Sequence, residues 1–101
     1  MATKLDTTKA RVMTLVDGWV LKTCEHIETH RAGFNAEDLQ HWFVVVGALG
    51  SFEAKVAVAS RVQGTSEERV REVERVEAQV GILCREIAAF IEEFTPSAVA
   101  A

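Results

Sequence analysis

The stretch Phe34–Gly50, F-N-A-E-D-L-Q-H-W-F-V-V-V-G-A-L-G, decides the fold of this chain because it joins a helix start to the most apolar run in the sequence. Asn35 can accept a hydrogen bond from a first-turn amide, and the side chain of Asp38 can reach back to the amide of Asn35. Phe34 lies where it can pack against Leu39 as a hydrophobic staple. These cues predict a helix that begins at Asn35.

The run from Trp42 to Gly50 is nine consecutive non-polar positions, which is more than two turns of a helix. A helix that is apolar on every side has to be covered on every side. Two neighbouring helices cover only part of its circumference, so we expect the remainder to contact a second copy of the chain or another protein. The predicted interface residues are Trp42, Phe43, Val45, Gly47, Leu49, Gly50 and Phe52.

This second helix is predicted over about residues 35–63, with Gly64 as its stop. The pentapeptide Trp-Phe-Val-Val-Val also has strand propensity, and Lys55–Val62 alternates with a period of two. The cap at Asn35 and the absence of a partner strand favour the helix.

A first helix is predicted over about residues 7–31, after a frayed segment 1–5 and a cap at Asp6 or Thr7. Its apolar positions recur at intervals of three and four, which places them on one stripe: Val12, Leu15, Val16, Trp19, Val20, Cys24 and Ile27. Gly33 is typical of a helix C-terminus. The short connection to Asn35 predicts that the first two helices form an antiparallel hairpin.

A third helix is predicted over about residues 66–94, between a Thr65–Glu68 capping box and Thr95-Pro96. Its apolar residues follow a heptad pattern: Val73, Val80, Ile87 and Phe94 at one position, and Val76, Leu83 and Phe90 at the other.

Together these patterns predict an all-α fold, a three-helix antiparallel bundle formed by a helical hairpin and a long third helix, and assembled as a homodimer. We expect residues 1–101 to make one domain with a mobile tail at 95–101. The predicted core residues are Trp19, Cys24, Trp42, Val46, Leu49, Val73, Val80, Leu83 and Ile87.

Composition and charge limit the partners and the location. The net charge is −4, with 11 basic and 15 acidic residues and no basic cluster, which disfavours binding to nucleic acid. The N-terminal residues M-A-T-K-L-D-T-T-K lack the apolar segment of a signal peptide. Because Glu53 and Lys55 interrupt the apolar run well short of roughly 20 residues, we expect no membrane span. A cytoplasmic location is the expectation.

Four residues near the turn between the first two helices could bind a metal. His26 and His30 are one helical turn apart, as are Glu37 and His41. If the hairpin turns near Gly33, the two pairs face each other, which is a geometry suited to zinc. The alternative is that the histidines are solvated or cap a helix end.

Cys24 and Cys84 are predicted to enter the same core layer. They are small buried hydrophobes in one interpretation and a disulfide or redox pair in the other. The C-terminal residues Ala98-Val99-Ala100-Ala101 resemble the small C-terminal ends that bacterial ATP-dependent proteases read, which implies a degradation signal.

The function that these observations favour is a non-catalytic protein–protein interaction module. It would be a small cytoplasmic adaptor, regulator or inhibitor of bacterial or phage origin that self-associates through the second helix. The alternative is a helical bundle that binds a metal or a small ligand through the histidine cluster. No nucleophile with an attendant base and no glycine-rich phosphate loop is visible in the sequence, so catalysis is not expected.

Overall fold

The computed structural model describes residues 3–93, in which three long helices pack against one another and no strand occurs. The helices are α1 (Lys4–His30), α2 (Ala36–Ala59) and α3 (Ser66–Glu93), and a short 3-10 turn, Arg31–Gly33, follows α1. The prediction of an all-α fold is confirmed. The bundle is elongated, with principal extents of 57 × 23 × 17 Å.

The connections between the helices are too short for parallel neighbours. A six-residue connection such as 60–65 reaches about 20 Å when extended, whereas a helix of 24 residues is about 36 Å long. Because α3 packs along α2, it has to run back in the opposite direction. The same reasoning applies to the connection 31–35, so α1 and α2 form a helical hairpin.

Two helices begin at reciprocal capping boxes. The Asn35 side chain accepts from the Asp38 amide at 2.8 Å, and the Asp38 carboxylate accepts from the Asn35 amide at 3.2 Å, as the sequence predicts. Thr3 and Asp6 form the same pair of bonds at the start of α1. The predicted cap at Asp6 or Thr7 is therefore wrong, because Asp6 is the third helical residue that completes the box of Thr3.

The second helix ends at Ala59, before the predicted end at residue 63. The Arg61 amide donates to the Val58 carbonyl at 3.0 Å, three residues back, which tightens the chain into a turn. Gly64 then adopts a φ of 138°, a conformation that residues with a Cβ rarely adopt. Phe94, the predicted last residue of the third helix, lies outside the described residues, and so does the predicted tail 95–101 with Ala98–Ala101.

The core runs along the axis of the bundle, with contributions from each helix. Its fully enclosed side chains, with 0% exposure, are Val12, Val16, Trp42, Leu49, Val73, Val80 and Ile87. Four residues predicted for the core, Trp19, Cys24, Val46 and Leu83, are only partly buried. Trp19, Val46 and Leu83 still pack against the buried core cluster from its margin.

Candidate contact surface on the second helix

The inward side of α2 is a single stripe of apolar side chains. Its residues are spaced alternately by three and four, which keeps them on one side of the helix, and all of them are buried: Trp42, Val45, Leu49, Phe52, Val56 and Ala59.

This stripe corrects the predicted interface. Trp42, Val45, Leu49 and Phe52 are at most 6% exposed, so α1 and α3 already cover them and they cannot meet a partner. The nine-residue run contains both sides of the helix, and its composition alone does not separate them.

The opposite side of α2 faces solvent and is also largely apolar. We call it the outer face; its residues, all exposed, are Gln40, Phe43, Val44, Gly47, Gly50, Ser51, Ala54 and Val58. Phe43, Val44 and Val58 are 58%, 65% and 69% exposed. Such a contiguous exposed apolar surface is typical of a binding site.

The centre of the outer face is flat because its residues are small. A Cβ added at Gly47 or Gly50 would meet nothing within 4 Å, so nothing from the described part of the chain covers them. Of the predicted interface, Phe43, Gly47 and Gly50 lie here. The predicted interface does not include Val44, Ser51, Ala54 and Val58, although a count at 3.6 residues per turn from Trp42 places them opposite the core.

An open groove of about 600 Å³ lies beside the C-terminal half of the outer face, between α2 and α3. We call it the α2/α3 groove. Apolar side chains form much of its lining, and charged side chains flank them; the lining residues are Ala54, Lys55, Val58, Ala59, Val62, Glu72, Arg75, Val76 and Gln79. Glu72 and Arg75 form an ion pair at 2.9 Å on its α3 side. The groove is therefore mainly apolar, with charged side chains at its margin.

The charges of α2 are distributed unevenly along its axis. Glu37 and Asp38 lie in the first turn, whereas Lys55 and, just beyond the last turn, Arg61 lie at the other end. Among the described residues, neither Glu37 nor Arg61 makes an ion pair. Both remain available to a charged partner.

The length and composition of α2 also satisfy the requirements for crossing a membrane. Over its most apolar 18 residues the mean hydropathy is 1.5, and 33% of that window is buried inside the protein. The core helix of a soluble protein can have the same properties. Since Trp42 and Leu49 are fully enclosed by the other helices, a span through α2 would have to break these contacts.

The four candidate metal ligands are not brought together. The ring of His26 lies 4.8 Å from that of His30, but His41 points elsewhere and meets Phe90 of α3 edge-on at 4.9 Å. Within residues 3–93, no three His, Cys, Asp or Glu side chains are placed to hold a metal ion. The predicted opposition of His26–His30 to Glu37–His41 is wrong, because rotation about the α2 axis turns His41 towards α3.

His26 instead belongs to an aromatic cluster at the hairpin end of the bundle. Its ring lies 5.1 Å from Trp42 and 5.9 Å from Phe34. The His26 Nε2 and Trp42 Nε1 atoms are buried, and neither has a hydrogen-bond partner among the described residues. Burial lowers the pKa of His26, and the nearby His30 lowers it further.

The lowered pKa predicts that stability depends on pH through His26. The unfolded chain takes up a proton near pH 6.5, whereas the folded protein takes it up only at lower pH, so acid favours unfolding. The His26-dependent part of the stability is complete above pH 6.5 and is lost as the pH falls through the folded pKa. We expect His26→Gln to reduce the loss of unfolding free energy between pH 7.5 and 5.5, measured with urea.

The carboxyl group of Glu77 also makes the stability sensitive to acid, but at a lower pH than His26. Arg11 donates two hydrogen bonds to Glu77, at 2.7 and 2.8 Å, and these lower the pKa of that carboxyl below its usual value. Its contribution is therefore lost below about pH 4.5. Equal losses of stability in the wild type and in His26→Gln between pH 7.5 and 5.5 would contradict the assignment to His26.

The two cysteines are free thiols. Cys84 is buried in the core, and this burial raises its pKa, whereas Cys24 is only partly buried. A raised pKa keeps the thiol protonated and slows its oxidation. The structure contains no Cys24–Cys84 disulfide, and the burial of Cys84 favours a packing role for its side chain.

No protein-family model matches the chain, and neither a curated protein nor a solved structure matches it. The arguments on function therefore rest on the residues and geometry of the chain itself.

Proposed function

We propose that the protein is a non-catalytic interaction module that self-associates as a homodimer through the outer face of α2. In this proposal it acts in the cytoplasm as a small adaptor, regulator or inhibitor of another protein. The observation that carries the proposal is the exposure of Phe43, Val44 and Val58 beside uncovered glycines on one side of α2.

Burial of these side chains supplies the driving force. Removing one Val or Phe side chain from water contributes about 1.5–3 kcal/mol, and a two-fold dimer buries each residue twice. The small residues at the centre permit close approach of the two helices. No Asp, Glu, Lys or Arg belongs to the outer face, so little desolvation of charge opposes the contact.

The proposal predicts a dimer that depends on Phe43. We expect the mass measured by sedimentation equilibrium to rise from monomer towards dimer over about 1–500 µM, and Phe43→Glu to raise the dissociation constant at least about tenfold, because it would place two charges in an apolar contact. Leu21→Glu is the matched control: Leu21 is 61% exposed but lies on α1. We expect it to leave the dissociation constant within about twofold of the wild type.

Two results would contradict the proposal. A wild-type protein that stays monomeric to 500 µM would remove self-association. Co-sedimentation of that monomer with phosphatidylcholine vesicles, lost in Phe43→Glu, would assign the outer face to a membrane surface instead.

A further inference from the structure

We propose that the second copy docks antiparallel, with Phe43 of each copy packed against Ala54 of the other. This proposal rests on the proposed self-association through α2 and adds its orientation and its register. Two features carry the argument: the distribution of side-chain size along the outer face and the distribution of charge between the two ends of α2.

Side-chain size is asymmetric along the outer face. The bulky Phe43 lies in the N-terminal half, the centre is Gly47, Gly50 and Ser51, and the C-terminal half has the small Ala54 next to the groove. A parallel pair would place Phe43 beside Phe43 and leave the two small halves facing each other. An antiparallel pair places the large half of each helix over the small half of the other, which fits close packing.

The distribution of side-chain size also determines the register of the pair. When the two-fold axis crosses α2 at the level of Leu49, residues equally distant from Leu49 along the helix lie at the same height. Phe43 then lies level with Lys55 and next to the small Ala54 of the second copy. In the same register the small residues Gly47 and Ser51 meet near the axis.

The charges select the same register independently. With the axis at Leu49, Glu37 lies level with Arg61 of the second copy, and the symmetry repeats this pair. A parallel pair would instead place Glu37 level with Glu37 and Arg61 level with Arg61. Glu53, the remaining acidic residue of the C-terminal half, points about 120° away from Gly47 around the helix and does not face the second copy.

The size of the contact sets the expected affinity. The outer face, from Gln40 to Val58, is about 27 Å long and about 10 Å wide, or on the order of 300 Å² on each copy. The total of about 600 Å² lies below the 1,200–2,000 Å² of stable complexes. We therefore expect a reversible dimer in the micromolar range.

Charge reversal tests the orientation. In the antiparallel dimer, Glu37→Arg and Arg61→Glu each replace two attractive pairs by repulsive ones, so each should raise the dissociation constant about fivefold or more. The double variant E37R/R61E restores opposite charges in both pairs and should return to within about twofold of the wild type. A double variant no tighter than the weaker single variant would overturn the antiparallel register.

Cysteine cross-linking tests the register directly, in a Cys24→Ala background with melting curves to verify folding. Gly50→Cys lies next to the axis, so its thiols on the two copies should be oxidised to an intermolecular disulfide within minutes of adding copper phenanthroline as the oxidant. In the proposed dimer, Gln40→Cys lies about 27 Å along the helix axis from its equivalent in the second copy, so it should form no disulfide. In a parallel dimer the two thiols would be level and would form one. If the wild type is a dimer and Gln40→Cys forms the cross-link, the antiparallel inference alone is overturned. If the wild type is a monomer, the proposed function is overturned as well.

Discussion

Trp42→Ala is expected to lower the free energy of unfolding by about 3–5 kcal/mol. The side chain is 0% exposed and contacts the rings of His26, Phe34 and His41, so its removal leaves a large cavity where α1 meets α2. Small domains have only about 5–15 kcal/mol of stability, so this single change removes a large share of it. Urea unfolding at low micromolar concentration, where the monomer predominates, measures the effect.

The neighbouring aromatic residue is the control. Phe43 is 58% exposed and makes no part of the core, so Phe43→Ala should change the monomer's unfolding free energy by at most about 0.5 kcal/mol. The two variants remove adjacent aromatic side chains from one helix. Equal losses of stability would contradict the assignment of Trp42 to the inward side and Phe43 to the outer face.

Ile87→Ala is expected to cost about 2–5 kcal/mol of unfolding free energy. Ile87 is 0% exposed on α3 and packs in the main core cluster. The same urea titration of the monomer reports the change.

Ile82 supplies a control of the same residue type on the same helix. It is 54% exposed, and alanine has a higher helix propensity than isoleucine, so Ile82→Ala should be neutral within about 0.5 kcal/mol. A cost above 2 kcal/mol at Ile82, or below 1 kcal/mol at Ile87, would show that the inward stripe of α3 is misplaced.

Much of the secondary structure follows from short-range signals. The Asn35–Asp38 box needs only residues three apart, and it is formed as predicted. The heptad of α3 likewise places Val73, Val80 and Ile87 in the core. The helix α1 begins earlier than predicted, and its start carries the same local signal, because Thr3 and Asp6 have the same spacing as Asn35 and Asp38.

Side-chain direction at the hairpin end could not be predicted in the same way. Counting along the helices places His26 level with His41. Two residues at the same height on adjacent helices meet only when each side chain points towards the other helix. His41 turns towards Phe90 while His26 packs on Trp42. The rotation of each helix about its own axis depends on the packing of all three, and residue spacing carries no such information.

The sequence by itself determined that Trp42–Gly50 is apolar around the whole circumference of a helix, and therefore needs more cover than two neighbouring helices provide. Only the tertiary structure decided which side is covered. The packing of α1 and α3 buries Trp42, Val45 and Leu49 and leaves Phe43 and Val44 in solvent. The reason is physical: hydrophobic burial has no direction of its own, so the interlocking of side chains between helices selects the buried side.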